Sequence, residues 1–251
     1  MLQVKELMIG KGRPKICVPI MGDTQEKLLA QALKASQSVA DIVEWRVDYF
    51  ETVSSLETVL ATLTELREAL ANKVLLVTFR TKEEGGEQEI SLADYRQLCL
   101  EVAKTGAVDL LDVELARVEF LGRGFVQELK ATPVKLVMSS HDFKKTPVDG
   151  DLVFRINVMK QLGADIGKIA TMPQQLQDVL RVMGLPTKVR GFNQLPVAVM
   201  AMGDLGKVTR ISGELIGSVF TFASLEEASA PGQIPVEQLA PILDVLHVPE
   251  K

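Results

Sequence analysis

The sequence predicts an α/β protein, a single-domain (β/α)8 TIM barrel over residues 1–251, and three observations carry that expectation. Short apolar runs alternate with amphipathic stretches from one end of the chain to the other, the pattern of βα units. Eight such units fit the 251 residues, a length at which α/β barrels form one domain. No Gly-x-Gly-x-x-Gly follows any of the runs, which weakens an open, dinucleotide-binding sheet. Pro, Gly and charged residues are dispersed, so no linker divides the chain.

Strands are predicted near Ile16–Ile20, Ile42–Val47, Val74–Arg80, Leu110–Leu115, Lys135–His141, Ile166–Ala170, Leu195–Met202 and Val219–Ala223. Between them, Thr24–Val39 repeats Leu28, Leu29, Ala32, Leu33 and Ser36 at helical spacing. Ser54–Leu70 opens on a Ser cap with Glu57 three residues later, and Ser91–Lys104 and Pro235–Leu246 read as helices in the same way.

Composition narrows the function. Hydrophobic residues make up 47% of the chain, enough for a sizeable core, and the net charge of −5 argues for neither nucleic acid nor an anionic membrane as partner. No apolar run approaches a membrane span, and Met1–Lys15 lacks the apolar centre of a signal peptide, so the expectation is a cytoplasmic protein. Cys17 falls in a predicted strand and Cys99 in a predicted helix, which suits packed, reduced thiols. With two histidines and no ligand cluster, no metal is implied.

Strand alternation sorts the side chains, because residues i and i+2 share a face. In the second strand Val43, Trp45 and Val47 face the helices, which turns Glu44 and Arg46 into the barrel. In the third, Leu75, Val77 and Phe79 face out, and Thr78 and Arg80 face in. Val137, Ser139 and His141 share a face of the fifth, and Ile166, Lys168 and Ala170 share one of the sixth. Asp112 and Glu114 fall inward by the same parity and read as partners that neutralise the cations. A barrel interior is ordinarily filled by branched apolar residues, so Glu44, Arg46, Arg80, His141 and Lys168, five charged groups or bases from four strands, mark a site at the carboxyl ends of the strands.

The chemistry centres on Lys168. A neutral lysine in a dry site is a nucleophile for carbonyl groups, and the arginines' positive field is expected to keep this one unprotonated. An imine turns the carbonyl carbon into an electron sink, so a modest base, His141, can take a proton from the neighbouring carbon. A carboxylate of the loop Arg80–Glu87 could hold the imidazole's second nitrogen. Guanidinium groups suit an anionic or hydroxyl-rich substrate, and Arg210, after the seventh strand, could clamp a carboxylate. Ala228–Ile234 has the small residues, Pro and Gly of a lid carrying Ser229 and Gln233. His247 reads as surface or packing. A lysine aldolase or transaldolase and a non-catalytic carboxylate-binding barrel remain alternatives, although no glycine cluster in the last two loops suits the aldolases' phosphate site.

Glu44-Trp45-Arg46-Val47-Asp48, Thr78-Phe79-Arg80 followed by Glu84-Gly85-Gly86-Glu87, Ser139-Ser140-His141-Asp142-Phe143, Gly167-Lys168-Ile169-Ala170 and Ser229-Ala230-Pro231-Gly232-Gln233-Ile234 together resemble the type I 3-dehydroquinate dehydratases. The resemblance runs from Pro14 to His247 with the motifs in the family's order. It implies a cofactor-free lyase of the shikimate pathway, commonly a homodimer, whose small-molecule substrate is 3-dehydroquinate. It implies Lys168 as the Schiff-base lysine, His141 as proton carrier and Glu84 as that histidine's carboxylate. It further implies Glu44, Arg46 and Arg80 at the ring hydroxyls, Arg210 at the carboxylate, Ser229 and Gln233 on the lid, and Met200 and Met202 as an apolar wall. One departure is the segment between Leu180 and Leu195, shorter and more interrupted by Gly and Pro than the resemblance leads one to expect, which makes the sixth helix and a dimer surface doubtful.

Overall fold

A computed structural model describes residues 1–249. The chain begins with an antiparallel hairpin, β1 (Leu2–Val4) and β2 (Leu7–Ile9). Eight parallel strands then form the barrel: β3 (Lys15–Ile20), β4 (Ile42–Arg46), β5 (Val74–Thr78), β6 (Leu110–Glu114), β7 (Lys135–Asp142), β8 (Ile166–Thr171), β9 (Val197–Ala201) and β10 (Phe220–Ser224). The two-residue strand β11 (Ile234–Pro235) extends β10 in parallel.

The helices are α1 (Gln25–Gln37), α2 (Leu56–Leu70), α3 (Leu92–Lys104), α4 (Leu115–Lys130), α5 (Asp149–Leu162), α6 (Leu176–Arg190), the short α7 (Lys207–Ile211) and α8 (Gly213–Ile216), and α9 (Val236–Val245). Side-chain caps start three of them: Thr24, Ser55 and Ser91 accept from the backbone N–H of Lys27, Thr58 and Asp94. The cap of α2 is therefore Ser55, one residue beyond the expected Ser54.

The sheet closes between β9 and β10 by a seam thinner than the other ladders. Val219 N–H donates to the Val197 carbonyl at 2.9 Å, and Val199 N–H donates to the Ser218 hydroxyl at 3.0 Å, so a side chain replaces a backbone acceptor there.

Two apolar clusters follow from the alternation of side chains. One lies between strands and helices and contains Val43, Trp45, Val47, Leu75, Val77 and Phe79, the outward set expected from parity. The other fills the amino-terminal half of the barrel with Cys17, Ile42, Leu76, Leu110, Val137, Ile166 and Phe220, and the hairpin's Val4 and Ile9 plug that end. Burying each such side chain contributes about 1.5–3 kcal/mol. The carboxyl-terminal half of the interior gives up part of that gain, because many of its inward positions are charged or polar.

Several strands end earlier than the sequence suggests. β4 stops at Arg46, with Val47 opening a 3-10 turn, and β5 stops at Thr78. Beyond β5 the backbone turns to side chains for partners: Arg80 N–H donates to Asp48 Oδ1 at 3.2 Å and Thr81 N–H to Glu114 Oε1 at 2.9 Å. The doubtful sixth helix is a correction: α6 runs through Gly184 and Pro186 to Arg190. Pro186 removes one backbone donor, and the Thr187 hydroxyl donates to the Gly184 carbonyl beside it at 2.8 Å.

Candidate active site

The strand register sets the inward side chains side by side. Arg46 is level with Thr78, Thr78 with Asp112, Glu114 with Ser139, Ser139 with Lys168, and His141 with Ala170. Glu44, Arg46, Arg80, Glu84, His141, Lys168 and Arg210 line one cavity of about 50 Å3, together with Met200, Met202, Phe143, Phe222, Ser229 and Gln233. A larger concavity of about 1090 Å3 lies against Gly10–Pro14 and Gly213–Val219, and none of these charged groups lines it.

Lys168 is 4% exposed. Its Nζ lies 3.4 Å from Asp112 Oδ2 and 3.6 Å from Glu44 Oε1, with the Phe222 ring centroid 4.3 Å away. The expectation that fixed cations surround this amine is corrected by these contacts. Its nearest charges are carboxylates: Asp112, which it shares with Arg80, and Glu44.

Arg80 is the hub of that arrangement. Its Nη2 donates to Asp112 Oδ1 at 2.9 Å, and its Nη1 donates to Glu114 Oε1 at 2.9 Å and to the Ser139 hydroxyl at 3.0 Å. Glu84 Oε2 is 3.6 Å from the same Nη1. Arg46 forms a two-pronged pair with Asp48 at 2.8 and 2.7 Å and lies over the Tyr49 ring. Both guanidinium groups are thus largely committed to protein carboxylates.

His141 and Glu84 form the second functional unit. Nδ1 of the imidazole is 2.8 Å from Glu84 Oε2, and the Phe143 ring stacks on the imidazole at 6.5 Å between centroids. Burial first, then Arg80 and Lys168, holds the imidazole well below its ordinary pKa. Burial first, then the charge of Glu114, pushes Glu84 up to about 8 against the pull of Arg80. Of the loop's carboxylates only Glu84 meets the imidazole, for Glu83 pairs with Arg117 on α4. Gly86 lets the loop turn this tightly: a Cβ there would stand 1.9 Å from the Arg80 carbonyl oxygen.

Arg210 differs from the other cations. It is 2% exposed, donates only to the backbone carbonyls of Phe222 at 3.3 Å and Pro231 at 3.0 Å, and its Nε has no hydrogen-bond partner. Burial lowers its pKa to about 10, and no carboxylate among the described residues pairs with it. Ser229 and Gln233 bind one another, Gln233 Nε2 donating to the Ser229 hydroxyl at 3.0 Å and Ser229 N–H to Gln233 Oε1 at 2.9 Å. His247 lies outside the site, half-exposed and 3.1 Å from Glu214.

The sequence reading missed two contributors. Asp48 continues the inward series Glu44, Arg46, and carrying parity two residues past the strand would have found it. Phe222, which lies over Lys168, shares the inward face of β10 with Phe220, and the same alternation applied to that strand would have found it.

With the geometry in place, comparison with known proteins decides the family. A sequence model described as type I 3-dehydroquinase matches residues 16–250. The chain belongs to the type I 3-dehydroquinase family. A 3-dehydroquinate dehydratase of Syntrophotalea carbinolica is 44% identical over 248 residues, 98% of each chain, and one of Clostridium botulinum is 45% identical over 98% of this chain and 97% of the other. The crystal structure of a type I 3-dehydroquinate dehydratase from Clostridium difficile, solved with covalently modified comenic acid, superposes with a TM-score of 0.94 at 41% identity, covering 98% of this chain and 97% of that one. The carboxyl transferase domain of Rhizobium etli pyruvate carboxylase, at 14% identity and a TM-score of 0.69, shares the fold alone; it covers 93% of this chain and 44% of that one. Membership of the type I family makes the chain an enzyme with an α/β barrel of single-domain form. No helix among its described residues is long and apolar enough to cross a membrane.

Proposed function

We propose that this dehydroquinase converts 3-dehydroquinate to 3-dehydroshikimate and water through an imine on Lys168, as a step of the shikimate pathway. The observation that carries the reading is the shared cavity, where a buried lysine amine and an imidazole paired with a carboxylate face the same space. Nζ gives one proton to the neutral imidazole and attacks the C3 ketone. The carbinolamine hydroxyl takes that proton and leaves as water, which produces the iminium. His141 then removes the C2 proton, the C–H electrons forming a C2=C3 bond as the C=N pair moves onto nitrogen to give an enamine; the nitrogen pair then returns, a C1=C2 bond forms, and the C1 hydroxyl leaves as water with the proton His141 took. Hydrolysis releases product and restores the amine. The electron sink is the lysine's own imine, so this route asks for no metal or cofactor.

Glu84 orients the imidazole through Nδ1 so that Nε2 faces the reacting carbons. Arg210, which no carboxylate among the described residues pairs with, receives that of the substrate; Glu44 and the edges of Arg46 and Arg80 meet the ring hydroxyls; Met200 and Met202 wall the ring. Ser229 and Gln233 line the same cavity as Lys168 and His141. The segment around Ser229 and Gln233 serves as a lid over bound substrate, its two side chains exchanging each other for substrate oxygens. The reading extends to a homodimer in the cytoplasm, the former checked by sedimentation and the latter by fractionation. Growth of absorbance from the conjugated product on adding 3-dehydroquinate tests the reaction, and its absence refutes the reading.

A further inference from the structure

We propose that Asp112 is the counter-ion of the Lys168 nitrogen whenever that nitrogen is charged, first as ammonium and then as iminium. The inference rests on the imine reading above and adds a role for a residue that the strand pattern assigns only to neutralising cations.

The charge balance explains why one fixed carboxylate can serve both states. An ammonium, R–NH3+, and a ketone become R–NH+=C and water, so the C–N bond forms, the C–O bond breaks, and the nitrogen ends with the charge it began with. An anion already seated beside that nitrogen needs no rearrangement between the two. It matters because a protonated imine draws electrons from the neighbouring C–H bond far better than a neutral one. Burial otherwise favours the neutral form.

Two carboxylates stand near Nζ, and their surroundings separate them. Glu44 lines the cavity, where it can reach substrate, and its Oε1 also accepts from the Thr78 hydroxyl at 2.8 Å. Asp112 does not line the cavity. It sits behind the lysine at 1% exposure, where Nζ, Arg80 and Ser139 are the groups its oxygens meet. Burial alone would raise its pKa, but Arg80 and Lys168 outweigh burial and hold the carboxyl below the usual range. Glu114 touches Arg80 and Thr81 and has no contact with Lys168, so it makes a control of equal charge. The division of labour within Asp112 is apt: Oδ1 takes Arg80 and Ser139, and Oδ2 alone faces Nζ at 3.4 Å. That shared carboxylate attracts the iminium without pinning its charge when the C2 proton leaves.

Two reducing agents read the protonation state directly, since borohydride reduces neutral and protonated imines alike and cyanoborohydride reduces the protonated one preferentially. The measurement is the ratio of Lys168 adduct trapped by cyanoborohydride to that trapped by borohydride, by mass spectrometry, with 3-dehydroquinate. The wild-type enzyme should give a high ratio that holds from neutral to alkaline pH. An opposite charge at this range shifts a pKa by about 1–3 units, so in Asp112→Asn the ratio should fall about tenfold or more at alkaline pH, with kcat falling alongside. Glu114→Gln should keep the wild-type ratio. A wild-type ratio in Asp112→Asn, or an equal fall in Glu114→Gln, overturns the proposal alone. Absence of any borohydride adduct in the wild type overturns the imine reading and the proposal with it. Should Asp112→Asn not fold, the wild-type profile decides: a ratio that declines with pH as it does for a free imine in solution refutes the counter-ion.

Discussion

One oxygen of Glu84, Oε2, lies 2.8 Å from Nδ1 of His141 and 3.0 Å from the backbone nitrogen of the same residue. The ring and the carboxylate are therefore coupled in their titration, Glu84 being pushed up to about 8 and the imidazole held below its ordinary value. With its proton bound, Glu84 is a carboxylic acid donating to Nδ1, and Nε2 carries its own hydrogen. With it lost, the carboxylate accepts from Nδ1–H and Nε2 presents a lone pair to substrate.

The pH dependence follows from this pairing. Glu84 is pushed up to about 8, so the base-competent form grows as pH rises through that value, and kcat/KM should fall as pH drops below it. In Glu84→Gln the amide cannot ionise and the imidazole titrates alone, held well below its ordinary value by burial, Arg80 and Lys168. The acid limb of Glu84→Gln should therefore move to lower pH, with a reduced plateau. An identical midpoint in both enzymes contradicts the coupling.

Arg210 should trade stability against binding. Its guanidinium is buried with only carbonyl partners, an arrangement that favours an incoming carboxylate and contributes little to folding. Charge-assisted hydrogen bonds are worth about 1.5–3 kcal/mol, so Arg210→Met should raise KM about tenfold or more and change kcat less. Thermal unfolding should be unchanged or shifted upward, since an apolar side chain of similar volume needs no desolvated charge. A large drop in melting temperature with KM intact would assign Arg210 a structural role instead.

Gly86 tests the loop that carries Glu84. A Cβ there meets the Arg80 backbone oxygen at 1.9 Å and Asp48 Oδ2 at 3.0 Å, and neither can retreat without moving the charged hub. Gly86→Ala should cost about 1–3 kcal/mol in urea unfolding and depress kcat by displacing Glu84 from the imidazole. Wild-type kcat with an unmoved midpoint argues against that placement.

Ser218 tests the seam. Replacing it with Ala leaves the buried Val199 N–H without its acceptor, at a cost of about 1–3 kcal/mol in denaturant unfolding. An unchanged midpoint means that another acceptor takes over and the barrel does not depend on the hydroxyl.

The sequence made the barrel legible because two periodicities agree. Val43, Trp45 and Val47 announce the helix-facing side of β4, and the same parity turns Glu44 and Arg46 inward, where the structure has them. The seam was not legible, since it depends on a serine hydroxyl standing in for a backbone acceptor. Nor were the contacts of Lys168. Parity says which residues face inward but not which cation each carboxylate chooses: Asp48 pairs with Arg46, Glu114 with Arg80, Asp112 with both Arg80 and Lys168, and Glu44 with Lys168. The sixth helix looked doubtful because Gly184 and Pro186 are poor helix formers, yet packing of Val182, Leu185, Pro186 and Val189 against the core outweighs propensity.

The central claim is that the Lys168 nitrogen bonds covalently to the substrate's carbonyl carbon. Borohydride reduction in the presence of 3-dehydroquinate, followed by peptide mass spectrometry, tests it most directly. The account predicts a stable mass increment confined to the peptide bearing Lys168 and absent from Lys168→Ala. An unmodified Lys168 in an enzyme that still turns substrate over would contradict it.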